Sequence, residues 1–410
     1  MKEKFYHPEL DRLRFVAFLA VFLHHYLPHD VSDYKKLGGL AAHVCTSFTL
    51  AGALGVDLFF CLSSFLITTL LIREADSRGT IDVRAFWIRR ILRIWPLYYF
   101  FIAFTALIVP LLLPHDKFGT SYVLGFGLLS GNWVCVANGY PPSVAAPLWS
   151  VSIEEQFYLA WPLLLSIVSI RRLPVFALIC LFVASATRLF VALLHLPYLS
   201  VWCNTFARLD PIALGALFAV FNHNTAWVIG TRTRLLLLSL SVLLPPALLF
   251  ALGDSCFSGV PSLLFYPVAA VCCLFILVAF YNNGDNGSRE DGRSPVRAWC
   301  SRALVYLGRI SYGLYVFHVL GIALAANVDV SKTAPLLYKA AAFAGRCCLS
   351  FGLTVAFASA SYFLLEKPFL RLKERFTYVK STPADPEKGS ALERAGSTPE
   401  SACSAPPSMP

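Results

Sequence analysis

LDRLRFVAFLAVFLHH, residues 10–25, is an apolar run with charges at one end and two histidines at the other. Crossing a bilayer as a helix takes ~20 mostly apolar residues, and the run around 12–28 is long enough. Arg14 and His25 stand eleven residues apart. At 100° per residue that is three turns plus about 20°, so a helix puts both on one face, ~16–17 Å apart along its axis. An arginine at the start of a span anchors it at the cytoplasmic surface. A histidine at the far end sits well into the membrane, where an ionisable group is costly and marks function. The run leads to His24 and His25 and not to a small-residue cleavage site, so it reads as a first transmembrane helix and not as a cleaved signal peptide.

The rest of the chain repeats this pattern. Of its 410 residues, 57% are hydrophobic and only 14% charged, too few charges for the surface of a soluble domain of this length. Apolar runs place ten spans at about 12–28, 48–72, 94–113, 147–170, 173–196, 202–222, 235–252, 260–281, 303–325 and 338–366. The stretch 120–136 is apolar but short and rich in Gly, Ser and Asn, and reads as a re-entrant or surface segment. With the N-terminus in the cytoplasm, 25 of the 34 Lys and Arg residues fall in inner segments, five in outer loops and four within spans. That asymmetry predicts an all-α polytopic membrane bundle with both termini cytoplasmic. It also accounts for the net charge of +10 without nucleic acid. Residues 1–376 form the membrane-embedded domain. The tail 377–410 is rich in Pro, Ser, Ala and charge and is expected to be disordered. Most of the twelve cysteines lie in apolar runs and read as small buried hydrophobes, with no metal-ligand spacing.

Several spans carry groups that lipid would not tolerate without a reason. GVDLFFCLSSFLITTLL holds Asp57, LWSVSIEEQFYLAWP holds Glu154 and Glu155, RLDPIALGALFA holds Arg208 and Asp210, and LGRISYGLYVFH holds Ser311, Tyr312, Tyr315 and His318. Counted from each helix's cytoplasmic end, Asp57 lies ~22 Å up, Glu154 ~24 Å, Arg208 ~21 Å and His318 ~22 Å, with His25 ~17 Å above Arg14. Five polar groups from five helices are thus expected in the outer half of the membrane. The plainer reading of these groups is structural ion pairing, such as Arg208 with Asp57 or Asp210. At the inner surface, AFWIRRILRIWP brings Arg89, Arg90 and Arg93 into the third span. Arg90 and Arg93 share a face and, with Arg14 nearby, suit a phosphate-bearing anion such as CoA. The bland reading is an ordinary cytoplasmic basic cluster. No Walker A, GxGxxG or HExxH motif is present.

Taken together these segments resemble acyltransferase family 3, over roughly residues 8–375. LDRLRFVAFLAVFLHH is similar to the family's opening helix, with Arg14 and His25 at its eleven-residue offset. GVDLFFCLSSFLIT resembles the second-helix motif, FWIRRILRIWPLYY the paired-arginine motif, and LWSVSIEEQFYLAWPLLL the fourth-helix signature. LGRISYGLYVFH and LLEKPFLRL resemble the two closing motifs. The family usually has Gly where Arg12 and Ser64 stand. Its members are integral-membrane O-acyltransferases of O-antigen, other surface polysaccharides and rhizobial signal oligosaccharides, and some modify macrolides. Some carry an added extracytoplasmic esterase domain. This chain ends without one and is expected to act alone or to pass its acyl group to a partner.

The resemblance implies transfer of an acyl group, acetyl foremost, from cytoplasmic acyl-CoA to a carbohydrate hydroxyl at the cell (inner) membrane. Acetyl-CoA is a donor substrate and not a resident cofactor. The expected partners are acyl-CoA, a carbohydrate acceptor and membrane lipid, with no nucleic acid and no metal. His25 is the expected base or covalent acyl carrier, and Glu154 or Asp57 would orient its imidazole. Arg14, Arg90 and Arg93 would bind CoA phosphates. Arg208, Asp210, Tyr312 and His318 would face the acceptor. A vertical passage from Arg90 to His25 would let the acyl-pantetheine arm reach the base. A transporter would also hold buried charge, but it has no need of paired inner arginines or of the WSVSIEEQFYL signature. A membrane transferase with a succinyl or lipid-linked donor fits the same residues. An inactive scaffold is opposed by intact Arg14, His25, Arg90, Arg93 and Glu154.

Overall fold

Lipid offers no partners for backbone N–H and C=O groups, so apolar runs of spanning length close their hydrogen bonds internally as helices. The computed structural model describes residues 6–223, 225, 228–281, 295–326 and 336–376, and every regular element among them is helical. In chain order the helices used below are α1 (Pro8–Tyr26), α2 (Gly39–Ala51), α3 (Gly55–Arg78), α4 (Val83–Leu107), α5 (Thr120–Gly127), α6 (Gly131–Asn138), α7 (Trp149–Ile167), α8 (Leu173–Leu193), α9 (Leu209–His223), α10 (Thr231–Leu252), α11 (Ser262–Tyr281), α12 (Pro295–Arg309), α13 (Ser311–Ala326), α14 (Leu336–Ser361) and α15 (Lys367–Lys373).

Among the described residues, six helical stretches are long and apolar enough to cross a membrane: Gly39–Arg78, Val83–Leu107, Ile170–Leu193, Thr231–Leu252, Ser262–Tyr281 and Tyr338–Lys373. The bent pair α12 and α13 makes a seventh if counted as one span. The chain is a multi-pass membrane protein. Helices also stand at the three other expected positions, but α1 carries Glu9, Asp11, Arg12 and Arg14 in its 19 residues, α7 has adjacent glutamates, and α9 has only 15 residues. Length and composition alone therefore support six or seven crossings and not ten.

Helix α3 is the hub, packed against α1, α7, α9 and α11. Close approach is set by glycine: a Cβ on Gly215 of α9 would lie 2.1 Å from Ser64 Oγ and 2.2 Å from the Cys61 carbonyl oxygen of α3. Ser64, which stands where the family usually has Gly, is thus matched by a missing side chain on the facing helix. Arg12, the other departure, ties α1 to α12 by donating from Nη2 to Ser301 Oγ at 2.6 Å.

The expected ninth span, 303–325, is not one straight helix. α12 and α13 meet at Ile310 with an 80° bend. A Cβ on Gly308 would lie 1.9 Å from the Asp11 carbonyl oxygen, so α12 runs directly onto α1 before the chain turns at the fully buried Ile310. The ~22 Å rise counted for His318 along a straight helix therefore does not apply. The second expected span is longer than its apolar core, because α2 continues through a 3-10 turn, Gly52–Leu54, into α3. The resulting 40-residue rod, Gly39–Arg78, is about 60 Å long, twice the hydrocarbon thickness. The stretch 120–136 falls on α5 and α6. Each has eight residues and reaches only ~12 Å, too little to cross.

His7–Thr377 forms one compact unit that holds every element named here. The tail expected to be disordered, 377–410, lies outside the described residues. The eleven described cysteines are all free thiols, and seven of them are buried.

Candidate functional site

The arginine end is built by the cap of α4. The Asp82 carboxylate accepts from Ala85 N at 2.9 Å and fixes the helix start, while Glu74 accepts from Asp82 N at 2.9 Å and ties that start to α3. This places Arg89, Arg90 and Arg93 in the second and third turns. Arg89 is committed: it pairs with Glu74 at 2.9 Å and donates to the Phe376 carbonyl at 2.8 Å. Arg90 and Arg93 are different. Among the described residues neither has a hydrogen-bond or ion-pair partner. Arg90 lies over the rings of Phe86 and Tyr158, at 5.3 and 5.4 Å. The charges of Arg14, Arg89 and Arg93 all bear on it, and Arg14 also bears on Arg93. Arg14 itself is held by Asp11 at 2.8 Å. Half-buried guanidinium groups that repel one another and have unfilled donors make a site for an anion.

Three acidic groups border this cluster. Glu154 accepts from Ser63 Oγ at 2.5 Å, and the charges of Arg90 and Arg14 act on it. The structure thus brings Glu154 to the arginines and not to His25. Glu366, buried in a π-helical turn, Tyr362–Glu366, accepts from Ser361 Oγ at 3.3 Å and faces the charge of Arg93. Glu155, which had no expected role, accepts from Trp95 Nε1 at 2.8 Å, and its buried Oε1 has no partner among the described residues.

The histidine end lies at the last turn of α1. His25 is exposed, and its Nδ1 is 2.9 Å from the Val21 carbonyl oxygen and 3.3 Å from Nε2 of His318. His318 is fully buried on α13, its Nδ1 2.6 Å from the Tyr315 carbonyl oxygen. The neighbouring His24 turns the other way, to the Thr49 carbonyl at 3.0 Å and to His29 at 3.3 Å. Of the adjacent pair, only His25 meets the buried His318.

Hydrogen bonds fix three residues of α13 that lie between the two ends. Tyr312 donates to the Ile94 carbonyl at 3.1 Å, one residue beyond Arg93. Tyr315, three residues on, meets Ser150 Oγ at 2.6 Å and the Pro147 carbonyl at 3.1 Å. His318 follows after three more. From Tyr312 to His318 the axial rise is only ~9 Å. Tyr312 therefore stands beside the arginine helix. Ser63, Glu154, Phe59 and Tyr312 are half-buried, whereas Ser150, Tyr315 and His318 are buried.

Asp57, Arg208 and Asp210 form a third, separate group. Arg208 donates to Asp57 at 2.7 Å and lies 4.2 Å from the Trp202 ring centre and 4.9 Å from that of Tyr266. Asp210 binds both terminal nitrogens of Arg188, at 2.5 and 3.1 Å. All four charges are buried. Asp57 is engaged by Arg208 and makes no hydrogen bond to His25. Arg188, counted only as a residue within a span, is the missed member. Its sole sequence signal was an arginine amid LFVASATRLFVAL.

These ends and the ordered polar path between them suit transfer of a group carried by an anionic donor. The relatives found by comparison are named as O-acetyltransferases. An O-acetyltransferase of Staphylococcus aureus strain MSSA476, provisionally so named, is 26% identical over 90% of this chain and 58% of its own length. The O-acetyltransferase OatA of S. aureus strain NCTC 8325 / PS 47 is 31% identical over 51% of this chain and 37% of its own. The peptidoglycan O-acetyltransferase OatA of Listeria monocytogenes is 32% identical over 38% of this chain and 24% of its own. The chain thus spans less than two thirds of the length of the curated relatives it matches. No solved structure matches it. The family model described as an acyltransferase domain matches residues 7–355, nearly the whole helical body, and on that match the chain belongs to acyltransferase family 3.

Proposed function

We propose that this protein is a membrane O-acetyltransferase, moving acetyl from cytoplasmic acetyl-CoA to a hydroxyl of a cell-envelope carbohydrate. The observation that carries the reading is the pair of arginines, Arg90 and Arg93, without hydrogen-bond partners among the described residues, with α13 running from Tyr312, bonded beside Arg93 at Ile94, to His318, which meets the exposed His25. In this reading Arg14, Arg90 and Arg93 hold the CoA phosphates at the cytoplasmic face. The acyl-pantetheine arm follows the half-buried groups outward, and the thioester meets His25. Peptidoglycan is an acceptor of the right class, since it appears in a relative's name. Both termini lie in the cytoplasm of the inner membrane, and α1, α7 and α9 complete ten crossings.

The reaction balances without a further reactant. The carbohydrate hydroxyl oxygen attacks the thioester carbon as His25 takes the hydroxyl proton. The C–S bond then breaks, and the CoA thiolate recovers that proton from the imidazolium. Alternatively Nε2 of His25 attacks the thioester carbon, the C–S bond breaks and the CoA thiolate leaves; the hydroxyl oxygen then attacks the acyl-imidazolium carbon, the C–N bond breaks and the hydroxyl proton goes to the thiolate. Both routes use the same lone pair. Glu154 serves the donor end, beside Arg90. Asp57 with Arg208, and Asp210 with Arg188, brace α3, α8 and α9 around the acceptor side.

The test is acetyl-CoA turnover by the purified, detergent-solubilised protein against a panel of envelope glycans, with Arg90→Ala and His25→Ala alongside. CoA release that depends on one glycan and is lost in both variants is the expected result. Glycan-independent release, or full activity in both variants, would refute the proposal.

A further inference from the structure

A base needs its reactive nitrogen unprotonated and aimed, and some partner must hold the other nitrogen. A carboxylate is the usual partner. Here both candidates are committed elsewhere, Glu154 to Ser63 and Asp57 to Arg208. What stands against His25 is another histidine.

The protons of this pair can be placed from geometry. A carbonyl oxygen only accepts, so the 2.6 Å contact with the Tyr315 carbonyl requires a proton on Nδ1 of His318. In the neutral ring that leaves a lone pair on Nε2. The 2.9 Å contact with the Val21 carbonyl likewise puts a proton on Nδ1 of His25. That same N–H lies 3.3 Å from the free lone pair of His318 and is shared between the two acceptors. Nδ1 of His25 is thus saturated, and its Nε2 carries the only open lone pair. The ring centres are 4.8 Å apart and the planes 72° apart, a T-shaped contact and not a stack. His318 is fixed in turn: it is fully buried, and Phe18 packs edge-on against it at 6.3 Å.

We infer that His318 is the positioning residue of His25: it accepts from Nδ1–H, sets the tautomer that frees Nε2, and stabilises the imidazolium formed when Nε2 takes a proton. This replaces the expected placement of His318 on the acceptor side. The inference rests on the reading of His25 as the reacting group.

The conservative replacement is glutamine. Its amide can donate to the Tyr315 carbonyl and present its oxygen to His25, reproducing both contacts. Phenylalanine keeps the ring volume and offers neither. His318→Phe is expected to lower kcat by roughly 10- to 100-fold, part of the ~10²–10⁴ that a positioned base contributes, with KM for acetyl-CoA unchanged. His318→Gln should recover most of that loss. In the ¹⁵N spectrum of histidine-labelled wild type, both His25 and His318 should be protonated on Nδ1. The inference is overturned if His318→Phe keeps wild-type kcat while His25→Ala is silent, or if Gln and Phe are equally impaired. Should His318→Phe not fold, the spectrum decides alone, because a proton on Nε2 of His25 excludes the arrangement. A fully active His25→Ala would instead overturn the underlying reading of the site.

Discussion

Arg90 and Arg93 should cost the resting protein stability that acyl-CoA restores. They stand three residues apart on α4, where side chains begin ~5–6 Å from one another. Two like charges ~6 Å apart repel by about 3 kcal/mol at an effective dielectric constant of 20. Screening of half-buried groups brings this to about 1–2 kcal/mol. Neither has a hydrogen-bonded or ion-paired acceptor among the described residues, and the charges of Glu154 and Glu366 offset the repulsion only in part. Arg93→Gln, which keeps part of the apolar stem, should therefore raise the melting temperature of the detergent-solubilised apoprotein by a few degrees. Addition of CoA at a hundredfold its Kd should stabilise the wild type by about 2.7 kcal/mol. The variant should gain far less and should lose turnover. A substitution that stabilises the fold and abolishes the reaction is the signature of a site kept strained for a ligand. If Arg93→Gln instead melts lower and responds to CoA as the wild type does, the arginines are structural and the donor binds elsewhere.

Two further outcomes concern the scaffold. Asp57→Ala leaves Arg208 as a buried unpaired charge whose Nε and Nη1 already lack partners among the described residues, and should destabilise by about 3–5 kcal/mol, seen as a large fall in melting temperature. Adding Arg208→Met should recover much of that loss; a double variant as unstable as the single would mean the pair does not govern stability. Gly215→Ala should destabilise by about 1–3 kcal/mol, because its Cβ would collide with both Ser64 Oγ and the Cys61 carbonyl oxygen. Ser64→Gly in the same chain should relieve the hydroxyl contact but not the backbone one, so full recovery of the melting temperature would contradict the close packing of α9 on α3.

Hydrophobic runs were enough to locate the helices, because lipid demands closed backbone hydrogen bonds over a set length. They could not show the bend at Ile310. It arises from Gly308 meeting the Asp11 backbone, a contact between segments nearly three hundred residues apart. The same limit governs the polar groups. Counting rise along straight helices grouped His25, Asp57, Glu154, Arg208 and His318 at one depth. Depth, however, says nothing of the direction in which a side chain points. The structure divides the five: His25 with His318, Asp57 with Arg208, Glu154 with Ser63 and the arginines. The Arg14 and His25 offset survived because both lie on one unbroken helix. Arg90 and Arg93 were recognisable as a pair from their spacing, but that Arg89 is committed to Glu74 and Phe376 while they are not is a tertiary fact. Arg188 was illegible for the same reason, since its partner Asp210 lies on another helix. Specificity for the acceptor has no pattern in the outer segments that local sequence could reveal.

The claim most exposed to test is that acetyl enters at the arginines and leaves at His25 on the opposite face. Reconstituted in sealed vesicles of one orientation, the protein should acetylate a glycan on the His25 side from labelled acetyl-CoA confined to the arginine side, and His25→Ala should transfer none. Transfer that occurs only when donor and glycan share a compartment, or that persists undiminished in His25→Ala, would contradict the account.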